Sequence, residues 1–340
     1  MQTITLDSPG NFSISQTEIP KRPPDSALVR IYRVGICGTD LHAFRGRQPF
    51  LNYPRILGHE LGVQIMEIDE NDQDLHAGDV CAIEPYLNCG TCVSCRRGKT
   101  NCCTTLQTLG VHTDGGMREF IAIPVNKLHK SDLLSLDQLA LVETLGIGAH
   151  AVDRANFNPG EFVLVIGAGP IGLTVTQFAK IAGGRIIVMD INENRLNFCQ
   201  QAFEVEFTVN GRENPVEQLK AITSNEMPTV VFDATGNVKS MENAFSYVAS
   251  GGKLVFVGLV QDNITFHDPE FHRKEITLFS TRNSTGNDFK RIITLMEQNK
   301  IDTNPWITHR ATSDELIEAF PTWLNPDSGT IKAMVSFESW

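Results

Sequence analysis

The sequence lacks both a membrane-spanning stretch and an export signal. No window of its 340 residues approaches the run of about 18 apolar residues that a membrane-spanning helix needs. The N-terminal residues Met1 to Thr5 contain neither the basic nor the apolar region of a secretory signal peptide. We therefore expect a cytosolic protein that has no membrane partner.

Positive charge is also scarce. The chain has 29 Lys and Arg residues against 40 Asp and Glu residues, which gives a formal net charge of -11. Nucleic-acid-binding proteins usually present a basic face, so this balance argues against a nucleic-acid partner. It leaves room for an anionic small-molecule substrate, because a local cationic pocket can form in an acidic protein.

Internal repeats and low-complexity segments are absent, and the length predicts two domains. Residues 1–150 contain short β-branched runs that are typical of strands, such as 27–34 and 61–68. Residues 151–285 alternate strand-like and helix-like segments, which predicts an α/β domain with a parallel, doubly wound sheet. Its predicted strands are 162–166, 185–189, 229–232, 253–259 and 276–279, and its predicted helices are 170–182, 213–223 and 239–249, with 288–298 following. Residues 286–340 are few for a core of their own, so we expect them to return to the first domain.

A glycine-rich turn joins the first strand of the second domain to its helix. The segment from Gly167 to Gly172 fits G-x-G-x-x-G. Its glycines allow a tight turn and a close backbone approach to a pyrophosphate, and the helix N-terminus favours the phosphate charge. An ordinary helix start explains the motif as well. We predict a dinucleotide site at Gly167, Gly169, Pro170, Ile171 and Gly172.

Asp190 strengthens the prediction of a dinucleotide site. It ends the next strand, 18 residues after Gly172, where a carboxylate accepts hydrogen bonds from the adenosine ribose. A carboxylate at this position repels a 2′-phosphate, so NAD is favoured over NADP. Arg195, in the following helix, is the one residue that weakens this choice, although a solvated helix face explains it equally.

Five of the eight cysteines lie between Cys89 and Cys103. In a reducing cytosol, clustered cysteines indicate metal binding or catalysis rather than disulfides. Cys89, Cys92, Cys95 and one further cysteine fit four thiolates around a structural zinc ion, and unligated thiols on an exposed loop are the alternative. Spacing alone does not decide whether Cys102 or Cys103 is the fourth.

Two further segments are dense in side chains that bind metals. They are Gly35-Ile36-Cys37-Gly38-Thr39-Asp40-Leu41-His42 and Gly58-His59-Glu60. Together with the cysteine loop and the glycine motif, they make the sequence resemble the zinc-dependent medium-chain alcohol dehydrogenases over nearly its whole length. Segments 53–60, 110–116 and 271–275 are most similar to the branch that contains sorbitol, threonine and sugar-acid dehydrogenases.

The resemblance implies a fold, cofactors and an assembly. Residues 1–150 would form a GroES-like, β-rich catalytic domain, and residues 151–285 a Rossmann domain that binds NAD. The chain would hold two zinc ions, one catalytic and one structural, with Cys103 as the fourth structural ligand. It would form a dimer or a tetramer, and His272 and Arg273 would lie at a subunit or domain contact.

The resemblance also assigns zinc ligands. Cys37 and His59 match the ligands of the catalytic zinc. Glu60 and Glu143 match two carboxylates, and four candidates for three positions suggest that these two exchange, one binding zinc while the other holds water. Asp40 would orient His59.

A proton relay follows from the same resemblance. Thr39 matches the hydroxyl that receives the substrate proton, and His42 matches the outer member of the relay. Zinc would act as a Lewis acid on the substrate hydroxyl, and hydride would pass to NAD. Arg282 lies after the last strand, in a region that reaches the nicotinamide or the substrate in relatives.

The chain departs from the family at several positions. Val63 stands where glycine is usual, with Gly62 one place earlier, and Glu67 and Asp69 replace common glycines. Thr144 replaces the usual proline after the second carboxylate. We expect these changes to alter the local backbone, and Thr144 to alter how firmly that carboxylate is held.

The branch that the sequence resembles most favours a sugar acid, such as L-galactonate or L-gulonate, oxidised at a secondary alcohol. Arg45, Arg47, Gln48 and His112 are candidates to bind its carboxylate or hydroxyls, and a solvated loop is the alternative. Polyols such as sorbitol or xylitol are the alternative substrates. Threonine is disfavoured, because no carboxylate beyond the zinc set is evident to bind its ammonium.

Two other classes of protein share this fold. A non-catalytic regulator would be expected to lose the set formed by Cys37, Thr39, His42 and His59, and all four are present. A zinc-free quinone-type reductase generally lacks the cysteine loop and the Cys-His pair. The sequence therefore favours the dehydrogenase.

Overall fold

The structure is a computed structural model that describes residues 1–325 and 328–338. The chain divides into two units. Unit 1 comprises Met1–Thr144 and Thr285–Trp340, and unit 2 comprises Leu145–Ser284. The sequence placed the corresponding boundaries after residues 150 and 285.

The strands of the described residues are, in chain order, β1 (Gln2–Ser8), β2 (Asn11–Gln16), β3 (Ser26–Ile36), β4 (Glu60–Glu67), β5 (Val80–Ile83), β6 (Tyr86–Leu87), β7 (Gln107–Thr108), β8 (Phe120–Pro124), β9 (Leu128–Lys130), β10 (Phe162–Ile166), β11 (Arg185–Asp190), β12 (Phe207–Asn210), β13 (Val230–Asp233), β14 (Lys253–Phe256), β15 (Thr277–Ser280), β16 (Ile307–Thr312) and β17 (Lys332–Ser336). The helices are α1 (Gly38–Phe44), α2 (Val93–Arg96), α3 (Leu136–Ala140), α4 (Val142–Ala155), α5 (Pro170–Ile181), α6 (Glu193–Phe203), α7 (Pro215–Ile222), α8 (Val238–Ala244), α9 (Asp268–Arg273), α10 (Gly286–Glu297) and α11 (Leu316–Trp323). Within the described residues, no helix combines the length and the apolar character needed to cross a membrane.

Unit 1 is built on a seven-stranded sheet. Six strands follow the order β16-β17-β3-β4-β5-β9, and β8 pairs with another stretch of β3. The strands pair antiparallel except for β16 and β17, which are parallel. Its core contains Ile31, Val34, Val63 and Val335, all fully buried. The returning segment therefore completes the sheet of unit 1, because β17 pairs with β3.

Unit 2 is a six-stranded parallel sheet with the order β12-β11-β10-β13-β14-β15. This order is that of the doubly wound dinucleotide-binding fold, in which ligands bind beyond the carboxyl ends of the strands. β10 reads Phe-Val-Leu-Val-Ile, and such a continuous apolar run is typical of a strand covered on both faces. Leu164, Ile187, Val231 and Leu254 are fully buried at the centre of the sheet. The predicted doubly wound sheet is confirmed.

Some predicted elements of unit 2 were wrong in extent. The strand expected at 253–259 ends at Phe256, because the backbone N–H groups of Val257 and Gly258 both turn to the carbonyl of Asp233. The helix expected at 239–249 ends as α8 and continues only as a 3₁₀ turn, Phe245–Tyr247. Neither β12 nor α9 was predicted, since four and six residues are too few to show a period.

Candidate active site

Cys37, His59 and Glu60 form a compact cluster in unit 1. One ligand-type atom from each lies within 4.8 Å of the others. Cys37 follows β3 and caps α1, and His59 directly precedes β4. The two strands pair antiparallel with Gly35 opposite Glu60, which brings the ligand residues together. A thiolate, an imidazole and a carboxylate at this separation fit a zinc ion.

Asp40 lies beside this cluster, and its side chain contacts the segment that contains Cys37 and the segment that contains His59. Its fully buried carboxylate accepts hydrogen bonds from the backbone N–H groups of Cys37, at 2.9 Å, and Gly58, at 3.4 Å. Its Oδ1 lies 3.9 Å from Nδ1 of His59, a buried ring nitrogen without a hydrogen-bond partner among the described residues. Burial would lower the pKa of His59, but the charge of Asp40 and then that of Cys37 raise it well above its usual value. The ring nitrogen near Asp40 leaves Nε2 as the atom for a metal.

The carboxylate of Glu60 is paired with Lys332, which lies on β17 and is 1% exposed. Lys332 Nζ donates to both carboxylate oxygens, at 2.7 and 2.8 Å, and also to the carbonyl of Ile36 and the hydroxyl of Thr144. Burial would raise the pKa of Glu60, but the charge of Lys332, the charge of His59 and the hydrogen bond from Lys332 together lower it. A Cβ at Gly35 would overlap a carboxylate oxygen of Glu60, so glycine leaves the space that this pair occupies.

Glu143 lies in the first turn of α4 and is buried. The hydroxyl of Tyr86 donates a hydrogen bond to its carboxylate. Burial raises the pKa of Glu143, and the nearby charge of Glu60 adds to this rise, while His59 opposes it. Of the two carboxylates predicted for the catalytic metal, the structure brings Glu60 into the compact cluster and leaves Glu143 outside it.

Thr39 and His42 lie on α1, immediately after Cys37. Residues three apart on a helix are neighbours on one face, so these two side chains can form a relay. The side chain of His42 reaches solvent but is partly desolvated, and this desolvation, followed by the positive charges of Arg45 and Arg47, lowers its pKa. The lowered pKa keeps the imidazole neutral, and therefore able to accept a proton, to a lower pH than usual.

Four cysteine sulfurs form a second cluster in unit 1. The Sγ atoms of Cys89, Cys92, Cys95 and Cys103 lie within 4.8 Å of one another, and Cys102 is not among them. Cys103 is buried and Cys102 is exposed, so the structure separates two residues that spacing could not. Tetrahedral zinc with bonds of about 2.3 Å needs sulfurs somewhat under 4 Å apart, which this donor set fits.

Hydrogen bonds from the loop stabilise the sulfur charges. The backbone N–H of Cys92 donates to Cys89 at 3.3 Å, and that of Cys89 donates to Cys103 at 3.3 Å. Hydrogen bonds from the backbone and hydroxyl of Thr91 lower the pKa of Cys89 to about 5. Desolvation instead raises the pKa of Cys95 to about 11. The loop therefore stabilises the thiolate of Cys89 but not that of Cys95, and a bound cation would be needed to keep all four cysteines ionised.

The glycine motif of unit 2 joins β10 to α5 as expected. Gly167 has a φ of +97°, in the region that favours glycine, and a Cβ at Gly172 would overlap the carbonyl oxygen of Gly167. Gly169 caps α5, and Pro170 occupies its first turn. Ile171 follows it in the same turn. A nucleotide phosphate would meet free backbone N–H groups at this helix start.

Asp190 ends β11 and braces the glycine motif. Its Oδ2 accepts from the N–H of Ala168 at 2.6 Å, and its Oδ1 accepts from the N–H of Asn192 at 2.9 Å. Each carboxylate oxygen can accept a further hydrogen bond, which leaves capacity for a ribose. Arg195 Nη1 lies 3.8 Å from the position that a Cβ of Gly169 would take, so its charge is beside the loop.

The residues predicted to contact the substrate, the nicotinamide or a neighbouring subunit or domain have varied settings. Arg45 donates to the carbonyl of Leu324 at 2.7 Å, and His112 Nδ1 accepts from the N–H of Thr108 at 3.1 Å. Arg47 and Gln48 lie in the loop after α1, and Arg282 lies exposed in the loop after β15. His272 and Arg273 lie exposed on α9 of unit 2, where Arg273 pairs with Glu270 at 2.8 Å.

Sequence reasoning missed two residues that hold the candidate carboxylates. Lys332 is a charged residue between apolar Ile331 and the apolar run 333–335, and this contrast was a readable signal. Tyr86 gave no comparable signal, because the sequence does not reveal that it meets Glu143. Both contacts join residues that are distant along the chain.

Two family models match separate stretches of this chain, and several known proteins match nearly all of it. A family model described as zinc-binding dehydrogenase matches residues 170–298, and one described as alcohol dehydrogenase GroES-like domain matches residues 23–133. L-galactonate-5-dehydrogenase of Escherichia coli K12 is 39% identical over 99% of each chain. Sorbitol dehydrogenase of Bacillus subtilis is 28% identical over 98% of this chain and 97% of its own. The crystal structure of a short chain alcohol dehydrogenase from E. coli CFT073, complexed with NADH, matches with a TM-score of 0.92 at 28% identity over 99% of both chains.

Proposed function

Because the chain belongs to the family of zinc-binding alcohol dehydrogenases, we propose that it oxidises a secondary alcohol of a sugar acid and passes the hydride to NAD. The proposed substrate is an aldonate such as L-galactonate or L-gulonate. The observation that carries this proposal is the compact cluster of Cys37, His59 and Glu60 in a chain that is 39% identical to an L-galactonate-5-dehydrogenase.

Two zinc ions are proposed, one in each ligand cluster of unit 1. Cys37, His59 and one carboxylate would hold the catalytic ion, and the four clustered cysteines would hold the structural ion. When bound, the catalytic zinc supplies a Lewis acid that lowers the pKa of the substrate hydroxyl. Because Glu60 lies in the compact cluster and Glu143 lies outside it, Glu60 is the better supported third ligand. In the proposed exchange, one of the two carboxylates binds zinc while the other holds water, and Lys332 is available to pair with Glu60.

The proton from the substrate hydroxyl would leave through α1. The hydroxyl of Thr39 would accept it, and His42 on the same helical face would carry it to solvent. Exposure of His42 and its lowered pKa both suit the outer position in such a relay.

The cofactor would bind at the glycine motif of unit 2. Gly167, Gly169 and Gly172 would approach its pyrophosphate, and Asp190 would accept from the adenosine ribose. The carboxylate favours NAD, whereas Arg195 beside the loop is the residue that would tolerate a 2′-phosphate.

Positive charge near the proton relay supports an acidic substrate. Arg45 and Arg47 lie close enough to His42 to lower its pKa. A carboxylate of the substrate would be attracted to this charge, while a neutral polyol would not. A polyol dehydrogenase is the second candidate function, and the similarity to sorbitol dehydrogenase favours it.

The proposed setting is a homo-oligomer, either a dimer or a tetramer, in the cytosol. Eight free cysteines, four of them clustered, suit a reducing compartment.

The test is the initial rate of NADH formation with a matched panel of substrates. L-galactonate, L-gulonate, sorbitol, xylitol and threonine would be compared at equal concentration and with NAD in excess. The proposal predicts the highest kcat/KM for an aldonate, and its loss when both Arg45 and Arg47 are replaced by Gln. If a polyol gives the highest kcat/KM in both the parent protein and the double variant, the function is that of a polyol dehydrogenase.

A further inference from the structure

Unit 1 contains a buried group of ionisable residues that none of the proposed steps uses. Glu84, Lys127 and His129 are 3%, 5% and 6% exposed. Lys127 Nζ lies 2.6 Å from one carboxylate oxygen of Glu84, and His129 Nε2 lies 3.4 Å from the other. Burying charged groups is costly unless they are paired, and here Glu84 pairs with Lys127.

Several elements fix Glu84 in this arrangement. It directly follows β5, which pairs with β9, and His129 lies on β9 and stacks against Phe289 at 5.0 Å. A Cβ at Gly286, the first residue of α10, would lie 2.9 Å from Oε2 of Glu84. The start of a twelve-residue helix therefore meets the carboxylate, and its dipole favours that negative charge.

Lys127 has a second acceptor, the side chain of Asn88. Its Nζ lies 2.8 Å from Oδ1 of Asn88. An ammonium group only donates, so this contact determines which end of the amide is oxygen and which is nitrogen. The amide nitrogen must then face the opposite way, towards the cysteine cluster.

The amide nitrogen of Asn88 meets that cluster at Cys95. Nδ2 of Asn88 donates to Sγ of Cys95 at 3.7 Å. Glu84, Lys127, Asn88 and Cys95 thus form a continuous chain of contacts from a buried ion pair to a proposed metal ligand. Hydrogen bonds to an ionised acceptor are stronger than those between neutral groups, so this contact stabilises a thiolate more than a thiol.

We propose that Asn88, oriented by Lys127 and Glu84, is a positioning residue that holds the Cys95 thiolate and slows metal release from the four-cysteine cluster. The proposal rests on the proposed binding of zinc at this cluster. Partners that hydrogen-bond to metal ligands commonly change metal affinity about 10–100-fold when they are altered. The buried ion pair fixes the side-chain oxygen of Asn88, and the side-chain nitrogen of Asn88 then donates to the sulfur of Cys95.

The substitution that separates positioning from general support is Asn88→Asp. The new carboxylate keeps an oxygen for Lys127 and pairs with it more strongly, so the fold is retained. It removes the N–H donor and places an oxygen lone pair against the sulfur. We expect release from the four-cysteine cluster to a chromogenic chelator to be at least about tenfold faster. The midpoint of thermal unfolding in excess zinc is expected to be no lower than in the parent protein.

Cobalt identifies which cluster loses its metal. The full-length protein is loaded with Co²⁺, and the thiolate-to-metal absorption of the four-cysteine site is followed during chelation. Asn299→Asp, at an exposed residue after α10, adds the same charge and serves as the matched control. A second variant, Glu84→Gln with Lys127→Met, removes both buried charges together and should also speed release.

The outcomes distinguish this inference from the proposed function. Faster loss in Asn88→Asp, with the control unchanged, supports the positioning role. Release within twofold of the parent rate, or faster release only together with a lower unfolding midpoint, overturns it. If the parent protein holds no metal at the four cysteines, the proposed structural zinc fails and this inference falls with it.

Discussion

The ammonium group of Lys332 binds both carboxylate oxygens of Glu60, at 2.7 and 2.8 Å, and the two side chains are each about 1% exposed. A carboxylate so paired is charged and fixed in direction at the edge of the Cys37 and His59 cluster. This contact bears on the exchange of carboxylates predicted from the sequence. Glu60 must either bind zinc while it keeps Lys332, or give up one partner for the other.

Replacing Lys332 with Met should destabilise the metal-free protein by about 3 kcal/mol, because it leaves the carboxylate of Glu60 buried without a partner. Urea unfolding followed by circular dichroism measures this change. Adding Glu60→Gln to Lys332→Met should restore much of the loss, since no charge then remains. Equal stability of Lys332→Met and the parent protein would show that the pair contributes nothing.

The sequence predicted most of the local structure around the cofactor site. Strand β10, the turn at Gly167 and helix α5 are consecutive, so a short pattern contains all the information they need. It could not predict the contact of Glu60 with Lys332, which joins residues 272 positions apart. Such a contact depends on β17 pairing with β3, and the local hydrophobic pattern of a strand does not show which distant strand it pairs with.

The same contrast applies to the metal sites. The ligands Cys37 and His59 could be named from their motifs, but Cys102 and Cys103 have nearly equal spacing. Only the fold of the loop buries one sulfur and exposes its neighbour. The strand β12 was missed for a different reason, because an edge strand of four residues has too few positions to show alternation.

Cys103→Ala and Cys102→Ala form a matched pair for the structural zinc. Loss of a buried ligand should leave about one zinc per chain in Cys103→Ala, whereas Cys102→Ala should keep about two. Elemental analysis of gel-filtered protein gives these values. Loss of zinc from Cys102→Ala instead would show that Cys102, and not Cys103, is the fourth ligand.

Asp190→Ser should lower the affinity for NAD about tenfold or more, and it should narrow or reverse the preference for NAD over NADP. The substitution removes the proposed ribose acceptor and also the brace on the N–H of Ala168. The ratio of kcat/KM for the two cofactors measures the preference. Asp190→Asn retains one acceptor oxygen and should fall between the two proteins, and unchanged discrimination in both variants would remove Asp190 from the cofactor site.

The pH dependence of turnover should report the proton relay. Burial and then the charges of Arg45 and Arg47 lower the pKa of His42, so its protonation, and the acid limb of kcat that depends on it, should lie below about pH 6.5. Arg47→Gln removes one of these charges, so it should raise the pKa of His42 and move the acid limb to higher pH. NMR titration of the His42 ring gives the pKa independently of activity. An acid limb that stays in place while the His42 pKa moves would exclude this residue from the relay.

The most direct test of zinc-dependent sugar-acid oxidation joins metal content to activity in one sample. Zinc per chain is measured with the rate of NADH formation on L-galactonate, first as purified, then after chelation, and again after zinc is restored. We predict about two zinc per chain, loss of activity as the Cys37 and His59 site empties, and recovery on zinc addition. Full activity in protein that contains no zinc would contradict the account.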